Sequence, residues 1–222
     1  MENNFDEQTA AFHMNSLFFK EKRSPGEVAD IYSAWSKTYE QLMNSNTYAG
    51  PAMAAEEVAK MVPDTRREEV RVLDVAAGTG KVGIELYKRG FTWVEAVEPS
   101  SGMLEILSNT GVYSKAYKDF LGHGDSSIPK AAFDVVVNVG GMGEGHIPVQ
   151  GIDDMISFVK PGGLVVVVMR QEYLDNVEEY RGRLETRMNL LEKSGQWHKV
   201  VRKMVPNYFC DKSGIIFVYQ VV

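Results

Sequence analysis

The sequence predicts an α/β fold with a doubly wound, mostly parallel sheet of about seven strands and a C-terminal antiparallel hairpin. From residue 70 onward, apolar runs of strand length alternate with helical patterns, which is typical of parallel sheets. The runs 133–139 and 164–169 are almost continuously apolar, as strands buried on both faces are. The last two apolar runs, near 198–205 and 215–221, are joined by a short turn and therefore predict a hairpin.

Local signals place the elements along the chain. Ser24-Pro25-Gly26-Glu27 combines a capping serine, an N-terminal proline and a glutamate three residues after the serine, so it predicts a helix start. Pro51 opens the next helix, and Pro63 closes it. The remaining predictions are strands at 70–76, 93–97, 112–117, 133–139 and 164–169, helices at 80–89, 101–108, 153–159 and 175–193, and turns at 160–163 and 211–214.

The chain length and these elements predict one principal domain. Residues 24–222 would form it, with N-terminal helices at 24–62 acting as a lid. Residues 1–23 are polar with scattered aromatics, and we expect them to be flexible or to form a lid segment.

Composition limits the partners. The net charge of −6 argues against nucleic acid, because binding phosphates needs a basic surface. Cys210 is the single cysteine, so no intrachain disulfide can form, and no metal-type Cys/His spacing is present. The chain has no apolar run of about 18 residues, as a membrane span would need, and its acidic N-terminus is unlike a signal peptide. We expect a cytoplasmic protein with no membrane partner and no metal.

The segment RVLDVAAGTG, residues 71–80, is the most informative motif. An apolar run ends in a loop of small residues, and a helical pattern follows, which is a geometry that binds nucleotide-like ligands. Asp74 lies at the strand tip, where a carboxylate suits a cationic or hydroxylated ligand end better than a pyrophosphate. Glu98 ends the next strand, twenty residues after Gly78, where an acid can hold ribose hydroxyls.

The segment 78–83 also matches the GxGxxG pattern of dinucleotide-binding oxidoreductases. Glu98 does not discriminate between the two cofactor classes, because both use such an acid. Asp74 does, because a second negative group near two phosphates would weaken binding. The pattern therefore favours a phosphate-free ligand that carries an amino group and a sulfonium, with Gly83 completing the motif by coincidence.

These residues resemble motif I of the class I S-adenosylmethionine-dependent methyltransferases, which have a Rossmann-like fold. VEAVEPSSGML at 94–104 is similar to their second strand and following helix, and FDVVV with KPGGLVVVV to their fourth and fifth strands. The resemblance covers about residues 28–222. IYSAWSKTYE at 31–40 resembles the Tyr-x-x-Trp-x-x-x-Tyr entrance helix of one subgroup of this family. VNVGGMGEGHIP at 137–148 is similar to the loop after strand four in the methyltransferase-like protein 27 subfamily. Ala76 departs from the glycine usual in the family, and alanine is tolerated there if φ stays below zero.

The resemblance implies roles for individual residues. Asp74 would hold the methionine end of the cofactor directly or through water, Glu98 would accept the ribose hydroxyls, and Tyr32, Trp35 and Tyr39 would either cover the sulfonium by cation–π attraction or belong to the core. The other implied cofactor contacts are Ala76, Gly78, Gly80, Pro99, Met103, Leu121, Gly122, Asn138 and Gly140, with Asp125 a further candidate at the adenine.

His146 and Glu144, in a glycine-rich loop after the fourth strand, are the catalytic candidates, with His123 a third acid–base group. For Arg170, a solvated strand end is favoured over an acid-binding role. The expected activity is methyl transfer to an unidentified small molecule or protein, with S-adenosylhomocysteine as product. An NAD(P)-dependent oxidoreductase and a non-catalytic S-adenosylmethionine-binding regulator remain alternatives, and the sequence does not indicate an oligomeric state.

Overall fold

The computed structural model describes residues 9–10, 23–124 and 126–222. Most of the predicted segment 1–23 and the adenine candidate Asp125 lie outside these residues. The described elements are α1 Pro25–Leu42, α2 Gly50–Met61, a 3₁₀ turn Asp64–Arg66, β1 Arg71–Val75, α3 Lys81–Tyr87, β2 Trp93–Val97, α4 Ser101–Ser108, β3 Tyr113–Tyr117, β4 Phe133–Val139, α5 Gly151–Phe158, β5 Val159–Arg170, α6 Tyr173–Asn176, α7 Leu184–Lys193, β6 Trp197–Phe209 and β7 Lys212–Val221.

The seven strands form one sheet in the order β3-β2-β1-β4-β5-β7-β6. The first five strands pair in parallel, whereas β7 runs antiparallel to both β5 and β6. This confirms the predicted α/β class, the parallel sheet and the C-terminal hairpin. The strand order reverses beside β1, where Val75 is in register with Val97 of β2 and Asn138 of β4. Open α/β sheets bind ligands at such a reversal, beyond the carboxyl ends of the strands.

Helices cover both faces of the sheet. Along β1, Leu73 packs into one apolar cluster with α5 and α7, and its neighbour Val72 packs into another with α1, α2 and α3. Successive strand residues point to opposite faces, so a strand buried on both sides needs an unbroken apolar run. This accounts for the composition of β4 and β5.

The predicted helix 175–193 is wrong as one continuous element. It is interrupted after Asn176, where Val177 is buried with extended backbone angles, and Gly182 takes a left-handed φ of 67°. The interruption turns Tyr180 inward, where its hydroxyl donates to the carbonyl of Ile147 at 2.6 Å. The predicted turn at 160–163 also lies within the irregular first part of β5.

Within the described residues, no helix is both long enough and apolar enough to cross a membrane.

Candidate active site

A cavity of about 790 Å³, counted with the space that opens to solvent, lies beyond the carboxyl ends of β1, β2 and β4. It brings together the predicted site residues Tyr32, Tyr39, Ala76, Gly78, Glu98, Pro99, Met103, Leu121, Gly140 and His146.

Six predicted site residues do not line this cavity: Trp35, Asp74, Gly80, Gly122, Asn138 and Glu144. Gly122 instead donates its backbone N–H to Asp154 of α5 at 2.6 Å. Asn138 is fully buried, and its side-chain amide donates to the carbonyl of Val75 at 2.8 Å, which ties β4 to the tip of β1.

Sequence reasoning missed several lining residues: Pro25, Val28, Ala29, Tyr48, Val75, Val97, Asp119, Phe120, Val139, Gly141, Gly145 and Ile147. A signal existed for Val28 and Ala29, because they precede Tyr32 by four and three residues and so share its helix face. No local pattern points to Tyr48. His123, considered only as an acid–base group, also lines the cavity.

Glu98 follows β2 directly and is held by the backbone on both sides. Its Oε2 accepts from Gly78 N and its Oε1 from Ser100 N, each at 2.8 Å. Burial raises the pKa of Glu98 to about 7, against the opposing effect of these two hydrogen bonds. Each carboxylate oxygen can accept more than one hydrogen bond, so the group suits a pair of ribose hydroxyls. The fixed carboxylate and the adjacent backbone therefore fit the nucleoside part of S-adenosylmethionine.

Asp74 lies beneath the glycine loop instead of facing the cavity. Its side chain is fully buried, and the Tyr113 hydroxyl donates to Oδ2 at 2.6 Å. Burial raises the pKa of Asp74 to about 7, and the nearby charge of Glu98 adds to this effect. Its Oδ1 has no hydrogen-bond partner among the described residues. This geometry does not support direct contact with a ligand in the cavity and leaves a contact through water as the prediction.

Tyr113 explains the GxGxxG pattern. Its hydroxyl accepts from Gly83 N at 2.9 Å while donating to Asp74. A Cβ at position 83 would lie 2.3 Å from the Tyr113 Cζ atom, and one at Gly80 would lie 2.9 Å from Cε2. Gly83 is therefore not a coincidence, since it makes room for the ring that holds Asp74.

Ala76 adopts the conformation for which the family uses glycine. Its φ is 55°, in the left-handed region, so the condition for an unstrained alanine is not met. A Cβ at Gly141 would approach the Ala76 Cβ to 2.6 Å, so the loop after β4 packs closely over this alanine. The close packing holds the strained conformation in place.

Helix α1 is fastened over the cavity from two sides. Ser33 Oγ lies 2.8 Å from Ser100 Oγ, and a Cβ at Gly102 would approach the Ser33 carbonyl oxygen to 2.6 Å. On the other side, the Glu40 carboxylate accepts a hydrogen bond from Thr79 and pairs with Lys81 at 2.7 Å. These contacts place the helix directly against the glycine loop.

The aromatic side chains of α1 divide between the core and the cavity. The Tyr32 and Trp35 ring centroids are 5.9 Å apart in a stacked arrangement, and those of Trp35 and Tyr39 are 4.9 Å apart, edge to face. Trp35 is buried behind the two tyrosines, which line the cavity. Trp35 therefore supports the tyrosine rings instead of meeting the ligand in this cavity.

His146 forms a dyad with Tyr32. Its Nε2 lies 2.9 Å from the Tyr32 hydroxyl, and its Nδ1 lies 2.7 Å from the carbonyl oxygen of Glu144. A carbonyl can only accept, so Nδ1 carries the proton, and the neutral ring accepts from Tyr32 at Nε2. Burial lowers the pKa of His146, which favours this neutral form. Glu144 thus fixes the tautomer through its backbone, and its carboxylate does not line the cavity.

A smaller chamber of about 380 Å³, counted with the space that opens to solvent, adjoins the cavity. The two share Tyr32, Tyr39, Tyr48 and Gly140, and the chamber adds Trp35, Met43, Arg170, Tyr173, Tyr208 and Phe209. Arg170 is only 5% exposed, so the expectation of a solvated strand end is wrong. The described residues contain no cluster of three or more metal-ligating side chains.

The sequence matches the family described as "Methyltransferase domain" over residues 46–208. It is 32% identical to methyltransferase-like protein 27 of Homo sapiens over 171 residues, which are 77% of this chain and 68% of that protein.

Two solved structures share the fold. A SAM-dependent methyltransferase from Aquifex aeolicus aligns with a TM-score of 0.57 and 15% identity over 84% of this chain and 98% of its own. The [4+2]-cyclase SpnF aligns with a TM-score of 0.61 and 13% identity over 89% of this chain and 96% of its own. The family match and the human relative, together with a site that fits the cofactor, show that the chain belongs to the methyltransferase domain family as a class I S-adenosylmethionine-dependent enzyme.

Proposed function

We propose that this enzyme methylates a small molecule that occupies the smaller chamber and meets the methyl group at the wall shared with the larger cavity. The observation that carries this proposal is that the two spaces share four residues: Tyr32, Tyr39, Tyr48 and Gly140. When bound, S-adenosylmethionine supplies a methyl group already activated by a sulfonium. A recess lined mainly by aromatic side chains suits a small acceptor better than a folded protein surface.

The larger cavity is assigned to the cofactor. Glu98 would accept the ribose hydroxyls, and the neighbouring Pro99, Met103 and Leu121 would contact the adenine. Gly78 has no side chain and adopts a φ of 56°, so the backbone at this position can approach the ligand closely. Tyr32 and Tyr39 would present aromatic groups toward the sulfonium, where cation–π attraction contributes about 0.5–2 kcal/mol.

The His146–Tyr32 dyad is assigned as the base. An acceptor hydroxyl at the shared wall would give its proton to the Tyr32 oxygen while Tyr32 passes its own proton to His146 Nε2. The 2.9 Å separation of these atoms permits the second transfer without any movement of the chain. The rest of the rate enhancement comes from holding the acceptor in line, for which effective molarities reach roughly 10⁵ M or more.

The cofactor assignment is tested by titrating S-adenosylhomocysteine calorimetrically into the Glu98→Gln variant. We expect affinity to fall at least about tenfold, because an amide presents one acceptor oxygen where the carboxylate presents two. Glu95→Gln is the matched control, since Glu95 is also buried and lies on β2, the strand that Glu98 follows, but it bonds to Arg71 at 2.7 Å. Unchanged affinity in the Glu98 variant would refute the assignment.

Acceptor size is tested with labelled S-adenosylmethionine and a cell extract separated into small-molecule and protein fractions. We expect mass spectrometry to find the label in the small-molecule fraction. Label confined to protein would overturn the proposed acceptor size. Cofactor binding without labelling in either fraction would favour the regulatory module instead.

The base assignment predicts a changed pH profile. With the methylated product from that experiment as readout, His146→Gln should lower turnover near neutral pH by about 10²-fold or more, and the loss should diminish as pH rises. A hydroxyl ionises without help at high pH, whereas a purely structural defect would lower the whole profile evenly. An evenly lowered profile would therefore remove His146 from the mechanism.

A further inference from the structure

We infer that the smaller chamber binds a planar carboxylic acid bearing a hydroxyl group, and that Arg170 holds its carboxylate. This inference rests on the proposed function and names the acceptor class for the same site. Three features of the chamber carry it: the aromatic walls, the buried guanidinium and the position of that guanidinium relative to the shared wall.

The chamber is lined chiefly by aromatic rings. Seven of its ten lining residues are aromatic: Tyr32, Trp35, Tyr39, Tyr48, Tyr173, Tyr208 and Phe209. Several rings meet edge to face, as Tyr48 and Tyr208 do with centroids 5.5 Å apart. Such walls match a flat, apolar ligand body, because aromatic pairs gain energy in stacked and edge-to-face contacts.

The guanidinium of Arg170 stands among these rings. Its Cζ atom lies 4.2 Å from the centroid of Phe209 and 5.4 Å from that of Tyr173. Its ion pair with Glu172 has an Nη1–Oε1 distance of 3.3 Å, longer than the 2.7–2.9 Å usual for charge-assisted bonds. Glu172 itself is one-third exposed and does not line the chamber. A planar guanidinium in an aromatic pocket is suited to a carboxylate, which it can bind through two parallel hydrogen bonds.

The charge of the chamber selects against other acceptors. Among its described lining residues, Arg170 is the one Lys, Arg, Asp or Glu side chain, and the Glu172 carboxylate that pairs with it lies outside the lining. The guanidinium would repel a cationic amine, although aromatic walls alone would attract one by cation–π interaction. A neutral molecule would gain no ion pair.

The placement of Arg170 also orients the ligand. Gly140 and Tyr32 belong to both spaces, whereas Arg170 belongs to the smaller one alone. An acid held at Arg170 therefore points its opposite end toward the shared wall and the His146–Tyr32 dyad. There its hydroxyl oxygen forms a bond to the methyl carbon. The sulfur–carbon bond breaks with its electron pair left on sulfur, and the proton passes through Tyr32 to His146.

The test compares two probes of nearly equal shape, 4-hydroxybenzoate and the neutral 4-hydroxybenzamide. Calorimetry on the wild-type protein saturated with S-adenosylhomocysteine should show the acid binding at least about tenfold more tightly, as a charge-assisted contact would give. Equal affinities, or no binding of the acid, would overturn the inference. The proposed function would fail separately if S-adenosylhomocysteine itself did not bind.

Variants then assign the preference to Arg170. Arg170→Gln should remove the preference for the acid while retaining S-adenosylhomocysteine binding, and Arg170→Lys should retain part of it. Arg202→Gln is the matched control, because Arg202 pairs with Glu185 on the exposed side of β6 and should leave the preference unchanged. A preference that persists in a folded Arg170→Gln protein would exclude Arg170. If Arg170→Gln does not fold, the inference is tested by the wild-type preference for the acid over the amide and by its partial retention in Arg170→Lys.

Discussion

At the scale of single residues, Ala76 is strained. A non-glycine residue in the left-handed region costs roughly 1–2 kcal/mol, partly offset because alanine restricts the unfolded chain more than glycine does. We expect Ala76→Gly, at a φ of 55°, to raise the free energy of unfolding by up to about 1 kcal/mol. Denaturant unfolding measures this change. Ala77→Gly, at the next residue and without a positive φ, should destabilise instead, and stabilisation by both would show that φ is not the cause.

Tyr113 gives a second prediction at this scale. Tyr113→Phe removes the donor to Asp74 Oδ2 and leaves a buried carboxyl group without that bond, which costs about 1–3 kcal/mol. We expect a lower melting temperature together with weaker S-adenosylhomocysteine binding, because the glycine loop rests on this bond.

Tyr117→Phe is the matched control for Tyr113. On the same strand, its hydroxyl donates to the buried carboxylate of Glu95 at 3.0 Å, away from the cavity. It should lower stability without changing cofactor affinity. Equal loss of affinity in both variants would contradict a specific role for Tyr113.

The predictability of site residues depended on whether local sequence constrains them. Glu98 and Gly78 could be located because a parallel strand, a turn and a helix fix their spacing. Asp74 could be placed at the strand tip from the sequence. Its partner Tyr113 lies on β3, and residue spacing does not reveal that the two side chains meet. Tyr48 and Arg170 line the same chamber only because distant elements pack together. No local pattern encodes that meeting.

At the scale of elements, helix α1 crosses the cavity and is held at two points. It contacts the start of α4 through Ser33 and the glycine loop through Glu40. We expect S-adenosylhomocysteine to slow amide hydrogen exchange in residues 25–42, because a ligand beneath the helix adds contacts to it. Exchange monitored by mass spectrometry measures this effect. Helix α7, which does not line the cavity, should be unchanged, and equal protection of both helices would indicate only general stabilisation.

Element boundaries followed the strength of the local signals. The strands at 93–97 and 133–139 and the helix at 101–108 have the predicted ends, because turn residues flank each of them. The helix predicted at 175–193 was divided because Tyr180 gains buried hydrogen bonds by turning inward. Such a tertiary contact overrides local helix propensity and leaves no mark in the hydrophobic period.

At the scale of the whole molecule, two buried acids make stability depend on pH. The native pKa values of Asp74 and Glu98 are about 7, above the ordinary 3.8 and 4.5. Between these limits the folded protein binds more protons than the unfolded chain, so its free energy of unfolding falls as pH rises. The stabilisation is complete below the ordinary pKa values and is lost as pH rises toward 7.

Thermal unfolding of the cofactor-free protein measures this dependence. We expect the melting temperature to decline between about pH 5 and about pH 8, and to decline less in Asp74→Asn, which retains an acceptor for Tyr113. Parallel curves for the two proteins would show that Asp74 does not titrate in this interval.

The overall architecture was the most predictable level. Alternating strands and helices force parallel pairing with right-handed crossovers, and a final pair without a helix between them can only return antiparallel. The smaller chamber could not be predicted from the sequence. It forms between side chains of α1 and of the C-terminal hairpin, and no periodic pattern in the sequence connects these two segments.

The seating of the Tyr113 ring against Gly83 has a consequence for evolution. A side chain at position 83 and a large ring at position 113 exclude each other, so the two positions ought to change together among related enzymes. Relatives with a small residue at 113 are free to lose the third glycine, and those with tyrosine are expected to keep it. The third glycine in this lineage would then be retained because of the size of the residue at position 113, and not because an ancestor bound a dinucleotide.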